Sequence, residues 1–148
     1  HGVIYNPVID SNNEGVSIKY PEDITRKARK LILNVGALEF QKNQKLLIEA
    51  FARVVETVPV DLVILGEGSK RIDLESQVER LNLTDYVSIP GFVPNVKDYY
   101  TKADLFVLSS EHEGLPTVLI EALSYGVPCV HFYIMSSAKS VVKVLSEF

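Results

Sequence analysis

The sequence has little cysteine and no long apolar run. Cys129 is its only cysteine, so a disulfide framework is excluded, and its apolar neighbours predict a small core residue in a reducing compartment. A helix that crosses a bilayer needs about 20 consecutive apolar residues, and no stretch approaches that length. Because no signal peptide is visible either, we expect a cytoplasmic protein.

Basic residues are fewer than acidic residues. The chain has 15 Lys and Arg residues against 19 Asp and Glu residues, which gives a formal net charge of -4. Nucleic acid is therefore excluded as the main partner, since a phosphate backbone requires a basic face. The length of 148 residues suits one domain with a proper core and is too short for two large ones.

Two common motifs are also missing. The chain has no G-x-G-x-x-G segment, the glycine-rich fingerprint of dinucleotide-binding proteins, which disfavours a nicotinamide cofactor. No two aspartates are spaced as D-x-D, so no carboxylate pair is evident for a divalent metal, and we expect neither a metal nor a cofactor. The chain begins with His1 instead of methionine, and we expect it to be a fragment of a longer protein.

What the sequence does contain is an alternation of two patterns. Short apolar runs predict buried strands, and apolar residues spaced three and four apart predict amphipathic helices. The predicted strands are residues 30–36, 60–68, 86–91, 103–110 and 127–134. The predicted helices are residues 41–58, 69–81, 96–102, 116–125 and 137–148. Asn43 is the expected cap of the first helix, and the polar, turn-rich residues 1–29 are typical of a linker that enters a domain.

Strands that alternate with helices and are apolar throughout predict an α/β domain over residues 30–148. Its sheet is expected to be parallel, doubly wound and Rossmann-like, with helices on both faces. Ligands of such sheets bind beyond the carboxyl ends of the strands. The candidate site is therefore formed by four loops, which we call the first to fourth loops: residues 36–43, 66–69, 91–95 and 109–117.

These loops contain the parts of a diphosphate site. In the first loop, Lys42 lies near the predicted start of a helix, where its charge adds to the helix dipole. Gly66 and Gly68 of the second loop are expected to let a ligand approach the backbone. The third loop offers an apolar surface for a flat ring, and the fourth leads into a helix with free amides at its start. The sequence thus predicts a cleft for a diphosphate with a flat base and hydroxyl groups nearby.

The order of these segments resembles the donor-binding half of the family-4 retaining glycosyltransferases, which have the two-domain GT-B fold. The segment "NVGALEFQKN" is similar to the family's G-R-L-x-x-x-K loop, and "EGLPTVLIE" to its E-x7-E motif. The resemblance runs from Ile4 to Val130, beyond which the chain lacks the family's glycine-rich turn. It implies one half of a GT-B fold, with the N-terminal domain missing.

The resemblance implies roles for residues of the fourth loop and of the helix that follows it. Glu113 would be a catalytic residue that contacts hydroxyl groups of the transferred sugar. The backbone around Gly114, Leu115 and Thr117 would hold the diphosphate. Glu121 would accept hydrogen bonds from the ribose hydroxyl groups, as a carboxylate does strongly.

The resemblance also implies roles for the first and third loops. Lys42 would be the second catalytic residue, which pairs with the phosphates and stabilises the charge of the leaving group. Gly36 would contribute to binding of the nucleotide sugar. The backbone around Phe92 and Val93 would contact the nucleobase. The family's arginine is replaced by Ala37, so one of the two cations that hold the diphosphate is missing.

The same residues have simpler interpretations. Glu113 and Glu121 are also expected at an ordinary exposed helix start, where negative charge is favoured. His131 lies in an apolar run and is interpreted as a core histidine. Tyr99 and Tyr100 are interpreted as packing residues, not as a stacking platform.

The implied activity is retaining transfer of a hexose from a nucleotide-diphospho-sugar, a UDP-sugar, to an acceptor hydroxyl in polysaccharide biosynthesis. The acceptor would be a glycan or a lipid-linked glycan bound mainly by the missing N-terminal domain, so this fragment alone is expected to be inactive. The basic residues 26–30 are interpreted as a solvated linker or as a contact with the inner face of an anionic membrane. Two other functions stay open: a non-catalytic sugar-nucleotide-binding module and a sugar-nucleotide epimerase.

Overall fold

A computed structural model describes residues 29–110, 116–132 and 137–147. The strands are β1 Lys30–Val35, β2 Val60–Leu65, β3 Val87–Gly91, β4 Leu105–Leu108 and β5 Cys129–His131. The helices are α1 Gln44–Val54, α2 Arg71–Arg80, α3 Lys97–Lys102, α4 Thr117–Ser124 and α5 Ala138–Ser146. The strands form one sheet in the order β3-β2-β1-β4-β5, and every neighbouring pair is parallel.

Each face of the sheet has its own hydrophobic core. Because side chains alternate along a strand, Ile32 of β1 packs toward one face and Leu33 toward the other. The first core contains side chains of α1, α2 and α5, while the second contains side chains of α3 and α4. Helices therefore cover both faces, and the predicted doubly wound Rossmann-like sheet is confirmed.

Several element boundaries differ from the prediction, and two of these differences concern the loops of the candidate site. β2 ends at Leu65 and not at Gly68, because Gly66 has a φ of 141° and the chain turns there. A 3₁₀ turn at Phe40–Lys42 precedes α1. Asn43 occupies the predicted N-cap position of α1, but it adopts a left-handed conformation there and its side chain makes no capping hydrogen bond.

The two ends of the described chain pack onto the domain. Of the basic residues 26–30 the structure describes two: Lys30 is exposed, whereas the Arg29 guanidinium pairs with Asp61 at 2.8 Å and lies 5.0 Å from the centre of the Tyr86 ring. The predicted last helix is confirmed as α5, in which Val141 and Leu145 are fully buried in the first core. Within the ranges described, the chain has no helix that is long and apolar enough to cross a membrane.

Candidate functional site

The first three loops are joined to one another at the carboxyl edge of the sheet, the edge where the carboxyl ends of the parallel strands lie. The Leu38 amide donates to the Glu67 carbonyl (2.9 Å), and the Lys70 amide donates to the Leu38 carbonyl (2.8 Å). The Gly66 amide donates to the Gly91 carbonyl (3.2 Å). These backbone hydrogen bonds make one connected surface from loops that are distant in sequence.

The glycines of the second loop serve this contact between loops. A Cβ atom on Gly66 would overlap the Gly36 carbonyl oxygen, and one on Gly68 would overlap the Leu38 carbonyl group. The expectation that these two glycines make room for a ligand is therefore wrong, because the first loop already occupies that space.

A carboxylate adds a second link between the first and second loops. Glu39 accepts hydrogen bonds from the Ser69 amide at 2.9 Å and from the Ser69 hydroxyl at 2.5 Å. Because these bonds favour the charged form, they lower the pKa of Glu39 below its ordinary value. The sequence offered no signal for this pair, whose members are thirty positions apart.

Lys42 lies where the first and fourth loops meet. Its side chain runs beside Gly36, so that a Cβ atom on Gly36 would lie 3.7 Å from the Lys42 Cδ atom. Its carbonyl accepts a 2.7 Å hydrogen bond from the hydroxyl of Ser109, the first residue of the fourth loop. The structure thus brings together Lys42 and Gly36, two of the residues predicted for the site, and attaches them to the loop after β4.

The first loop is also held from α1. Gln44, which is buried at the start of that helix, donates from Nε2 to the Ala37 carbonyl at 3.0 Å. A hydrogen bond thus holds the loop backbone at Ala37, the position where the family's pattern has arginine. The side chain of Ala37 is exposed.

In the third loop, Gly91 is closely packed and the residue that follows it is exposed. Gly91 has a φ of 88°, and a Cβ atom there would overlap Glu67, whose carboxylate pairs with Arg71 at 2.6 Å. The next residue, Phe92, is 80% exposed, and Val93 is half-buried. The predicted nucleobase-contacting segment is therefore accessible at the same edge of the sheet.

The fourth loop leads into α4 through Pro116, which has an extended conformation and precedes the first helical residue. Thr117 is exposed at that helix start, and Glu121 is half-buried one turn later. The buried hydroxyl of Tyr100 lies 3.2 Å from Glu121 Oε2 and donates a hydrogen bond to it. No sequence pattern indicated this contact.

Three residues predicted for the site, Glu113, Gly114 and Leu115, lie outside the described residues. The described ranges contain no group of three or more His, Cys, Asp or Glu side chains that could hold a metal ion.

Other residues singled out from the sequence have packing roles. Tyr99 and Tyr100 are 2% and 1% exposed, which confirms their interpretation as packing residues. His131 is half-buried at the end of β5, with Nε2 3.3 Å from the Ser110 carbonyl oxygen. Cys129 packs against the second core, and burial raises the pKa of its thiol to about 11.

A cavity of about 380 Å³ lies beside this edge, between the start of α1 and the length of α2 from Lys70 to Arg80. It shares Glu39, Phe40 and Asn43 with the first loop, but neither Lys42 nor Glu121 lines it. The cavity is therefore separate from the surface where the predicted phosphate and ribose contacts lie.

Comparison with known proteins supports a single family. The family described as "Glycosyl transferases group 1" matches residues 18–145. An N-acetylgalactosaminyltransferase of Campylobacter jejuni, which acts on N-acetylgalactosamine-N,N'-diacetylbacillosaminyl-diphospho-undecaprenol, is 39% identical over 122 residues. The match covers 82% of this chain and 32% of that protein. The chain thus spans about a third of the length of this relative.

Solved structures agree with the fold. HepE of Anabaena, in complex with UDP and glucose, superposes with a TM-score of 0.73 at 19% identity, over 82% of this chain and 39% of that one. The lipopolysaccharide outer core galactosyltransferase WaaB in its apo form has a TM-score of 0.63 at 31% identity, over 79% of this chain and 34% of that one. With a family match over most of its length, the chain belongs to the group 1 glycosyltransferases.

Proposed function

We propose that this chain is the donor-binding domain of a retaining glycosyltransferase and that it binds a UDP-sugar at the carboxyl edge of its sheet. The observation that carries the proposal is the position of Lys42, beside Gly36 and hydrogen-bonded through its carbonyl to Ser109. Lys42 thus lies next to the point from which the chain continues toward α4. A diphosphate at that point would have a cation on one side and helix amides on the other.

The chemistry follows from this arrangement. The bond between the anomeric carbon of the sugar and the β-phosphate oxygen breaks, and the acceptor hydroxyl oxygen forms the new bond to that carbon. UDP departs with the bonding electron pair, and its β-phosphate oxygen takes up the proton that the acceptor hydroxyl loses. Lys42 and the first amides of α4 would stabilise the charge that grows on the diphosphate, the effect that lowers such barriers most. We propose that these groups act without a divalent metal.

The two glutamates of the E-x7-E motif have separate roles in this proposal. Glu121, on α4 and half-buried, accepts hydrogen bonds from the ribose hydroxyl groups. Glu113 contacts the transferred sugar, a role that rests on the resemblance of the motif. The backbone of Phe92 and Val93 contacts the base, and the exposure of this segment at the same edge supports that assignment.

The acceptor in this proposal is a lipid-linked glycan. Two relatives from Campylobacter jejuni, 39% and 35% identical, are named for acceptors carried on undecaprenol diphosphate. An enzyme with such an acceptor works at the cytoplasmic face of a membrane. The acceptor is bound by a part of the enzyme beyond this chain, which spans only about a third of these relatives, and the chain alone would therefore not transfer sugar.

One observation favours a second candidate, a module that binds sugar nucleotides without transferring sugar. Ala37 stands where the related enzymes are expected to have arginine, so the diphosphate lacks one cation in the first loop. Donor binding without transfer in the full-length protein would favour this second candidate.

Titration calorimetry with a panel of nucleotide sugars tests the proposal. Wild type should bind UDP-sugars, and Glu121→Ala should bind them about tenfold more weakly because a charge-assisted hydrogen bond is lost. Glu49→Ala is the matched control, since Glu49 is an exposed glutamate of α1. Equal affinities of Glu121→Ala and wild type would refute the ribose contact.

A further inference from the structure

Within the described part of the chain, the carboxylate of Glu121 has a single hydrogen-bonding partner, the hydroxyl of Tyr100. The phenol oxygen lies 3.2 Å from Glu121 Oε2 and 3.4 Å from the Val118 carbonyl oxygen. A hydroxyl group has one proton to donate, and a carboxylate is the stronger acceptor. The Tyr100 proton is therefore directed to Glu121.

The ring of Tyr100 is held in place by its neighbours. It is 1% exposed, stacks on Tyr125 with 5.4 Å between ring centroids and 9° between planes, and lies 6.0 Å from the Phe106 ring. Tyr125 ends α4 and Phe106 belongs to β4. The hydroxyl group thus has a fixed position between α3, which carries it, and α4, which carries Glu121.

The hydroxyl group also keeps its proton. Burial, and next the negative charge of Glu121, raise the pKa of Tyr100 above its ordinary value. Tyr100 therefore acts as a donor at every physiological pH. Oε1 of Glu121 accepts no hydrogen bond within the described residues, so one carboxylate oxygen is fixed and the other is available.

We propose that Tyr100 is a positioning residue for nucleotide recognition: its hydroxyl orients the Glu121 carboxylate so that Oε1 receives the ribose hydroxyl groups of the donor. This inference rests on the proposed function, because it explains what orients the carboxylate that we assign to the ribose hydroxyl groups. A carboxylate that is already oriented loses less side-chain entropy when the nucleotide binds. The tyrosine thereby contributes to affinity without contacting the ligand.

The chain offers a closely matched control in Tyr99. It is a tyrosine of the same helix, 2% exposed, and its hydroxyl makes no hydrogen bond in the described structure. Tyr99→Phe and Tyr100→Phe each remove one hydroxyl group from a buried tyrosine of α3. Only the second removes the contact with Glu121.

The experiment is calorimetric titration of the chain with UDP and with 2′,3′-dideoxy-UDP, which lacks the ribose hydroxyl groups. Tyr100→Phe should weaken UDP binding about fivefold and change dideoxy-UDP binding by less than about twofold. Tyr99→Phe should leave both affinities unchanged. Equal weakening of both nucleotides by Tyr100→Phe, or no weakening of either, would overturn the inference, since the hydroxyl would then have a structural role or none.

A second comparison separates this inference from the proposed function. Glu121→Ala should abolish the preference for UDP over dideoxy-UDP, and adding Tyr100→Phe to that variant should have no further effect on the preference. If Glu121→Ala abolishes the preference and Tyr100→Phe alone preserves it, the inference fails and the proposed function stands. If Glu121→Ala preserves the preference, the ribose contact and this inference fail together.

Discussion

The hydroxyl of Ser109 donates a 2.7 Å hydrogen bond to the carbonyl of Lys42, across 67 positions of sequence. Ser109 follows β4 and Lys42 follows β1, and these two strands are neighbours in the sheet. The bond therefore joins the loop that carries the candidate cation to the loop that leads to α4. The predicted phosphate contacts depend on this junction for their relative position.

Removing that junction should loosen the site. Ser109 is 2% exposed, so Ser109→Ala should lower the free energy of unfolding by about 1–2 kcal/mol, and UDP should bind more weakly. Urea unfolding and calorimetric titration measure the two effects. The control is Ser146→Ala, which removes an exposed hydroxyl that bonds within α5 and should cost less than about 0.5 kcal/mol. UDP affinity that survives Ser109→Ala unchanged would contradict the role of the junction.

Restoring a cation to the first loop should strengthen donor binding. Ala37 is exposed, and Gln44 reaches its carbonyl and not its side chain, so Ala37→Arg can be accommodated without disturbing the loop. We expect a gain of about fivefold in UDP affinity, decreasing with added salt because the new contact is ionic. Ala37→Gln supplies a long polar side chain without the charge and should give little gain. Equal affinities of the arginine and glutamine variants would argue against a diphosphate beside this loop.

Gly66 should be the least replaceable glycine of the second loop. Its φ of 141° and the overlap of a Cβ atom with the Gly36 carbonyl oxygen both oppose any side chain. Gly66→Ala should therefore lower the free energy of unfolding by more than about 3 kcal/mol. Gly126→Ala is the control, since Gly126 has a φ of 75° and no atom within 4 Å of a new Cβ, and should cost about 1–2 kcal/mol. Equal losses would mean that the overlap is relieved by a small shift of the loops.

The link between Glu39 and Ser69 should make stability depend on pH. Hydrogen bonds from the Ser69 hydroxyl and amide lower the pKa of Glu39 below 4.5. A carboxyl group whose pKa is lower in the folded state stabilises that state at pH values above its ordinary pKa. This stabilisation is lost as the pH falls through the folded-state pKa. Wild type should therefore be more stable than Glu39→Gln at about pH 7, and the difference should shrink as pH falls from the ordinary pKa through the lowered pKa of Glu39.

Urea unfolding of both proteins across this range measures the effect, with Glu49→Gln as a control at an exposed position of α1. A difference between wild type and Glu39→Gln that is constant with pH would contradict the assignment.

The fold could be predicted from the sequence because its signal is local and repeated. Each strand is a short apolar run, and α1 buries residues at the predicted spacing, including Leu47, Phe51 and Val54. The exact residues at which these strands and helices end were less predictable. β2 ends at Leu65 because of the backbone conformation of Gly66, a feature that apolar periodicity does not report.

The contacts of the candidate site were predictable only in part. Position after a strand predicts that the loops meet at one edge of the sheet, as the first three do, and Lys42 and Gly36 lie together. The partners of these loops were not predictable, because Ser109 and Tyr100 find theirs through the tertiary fold. Tyr100 was interpreted as packing, which its ring confirms, while its hydroxyl has the additional contact with Glu121 that residue type alone does not reveal.

The most direct test of the account is a titration of the ¹⁵N-labelled chain with UDP, followed by NMR amide shifts. We predict saturable shifts at the carboxyl edge of the sheet: at Gly36 and Lys42, at Phe92 and Val93, and from Thr117 to Glu121. Shifts confined to the cavity between α1 and α2, or no saturable shifts at all, would contradict a nucleotide-sugar site at this edge.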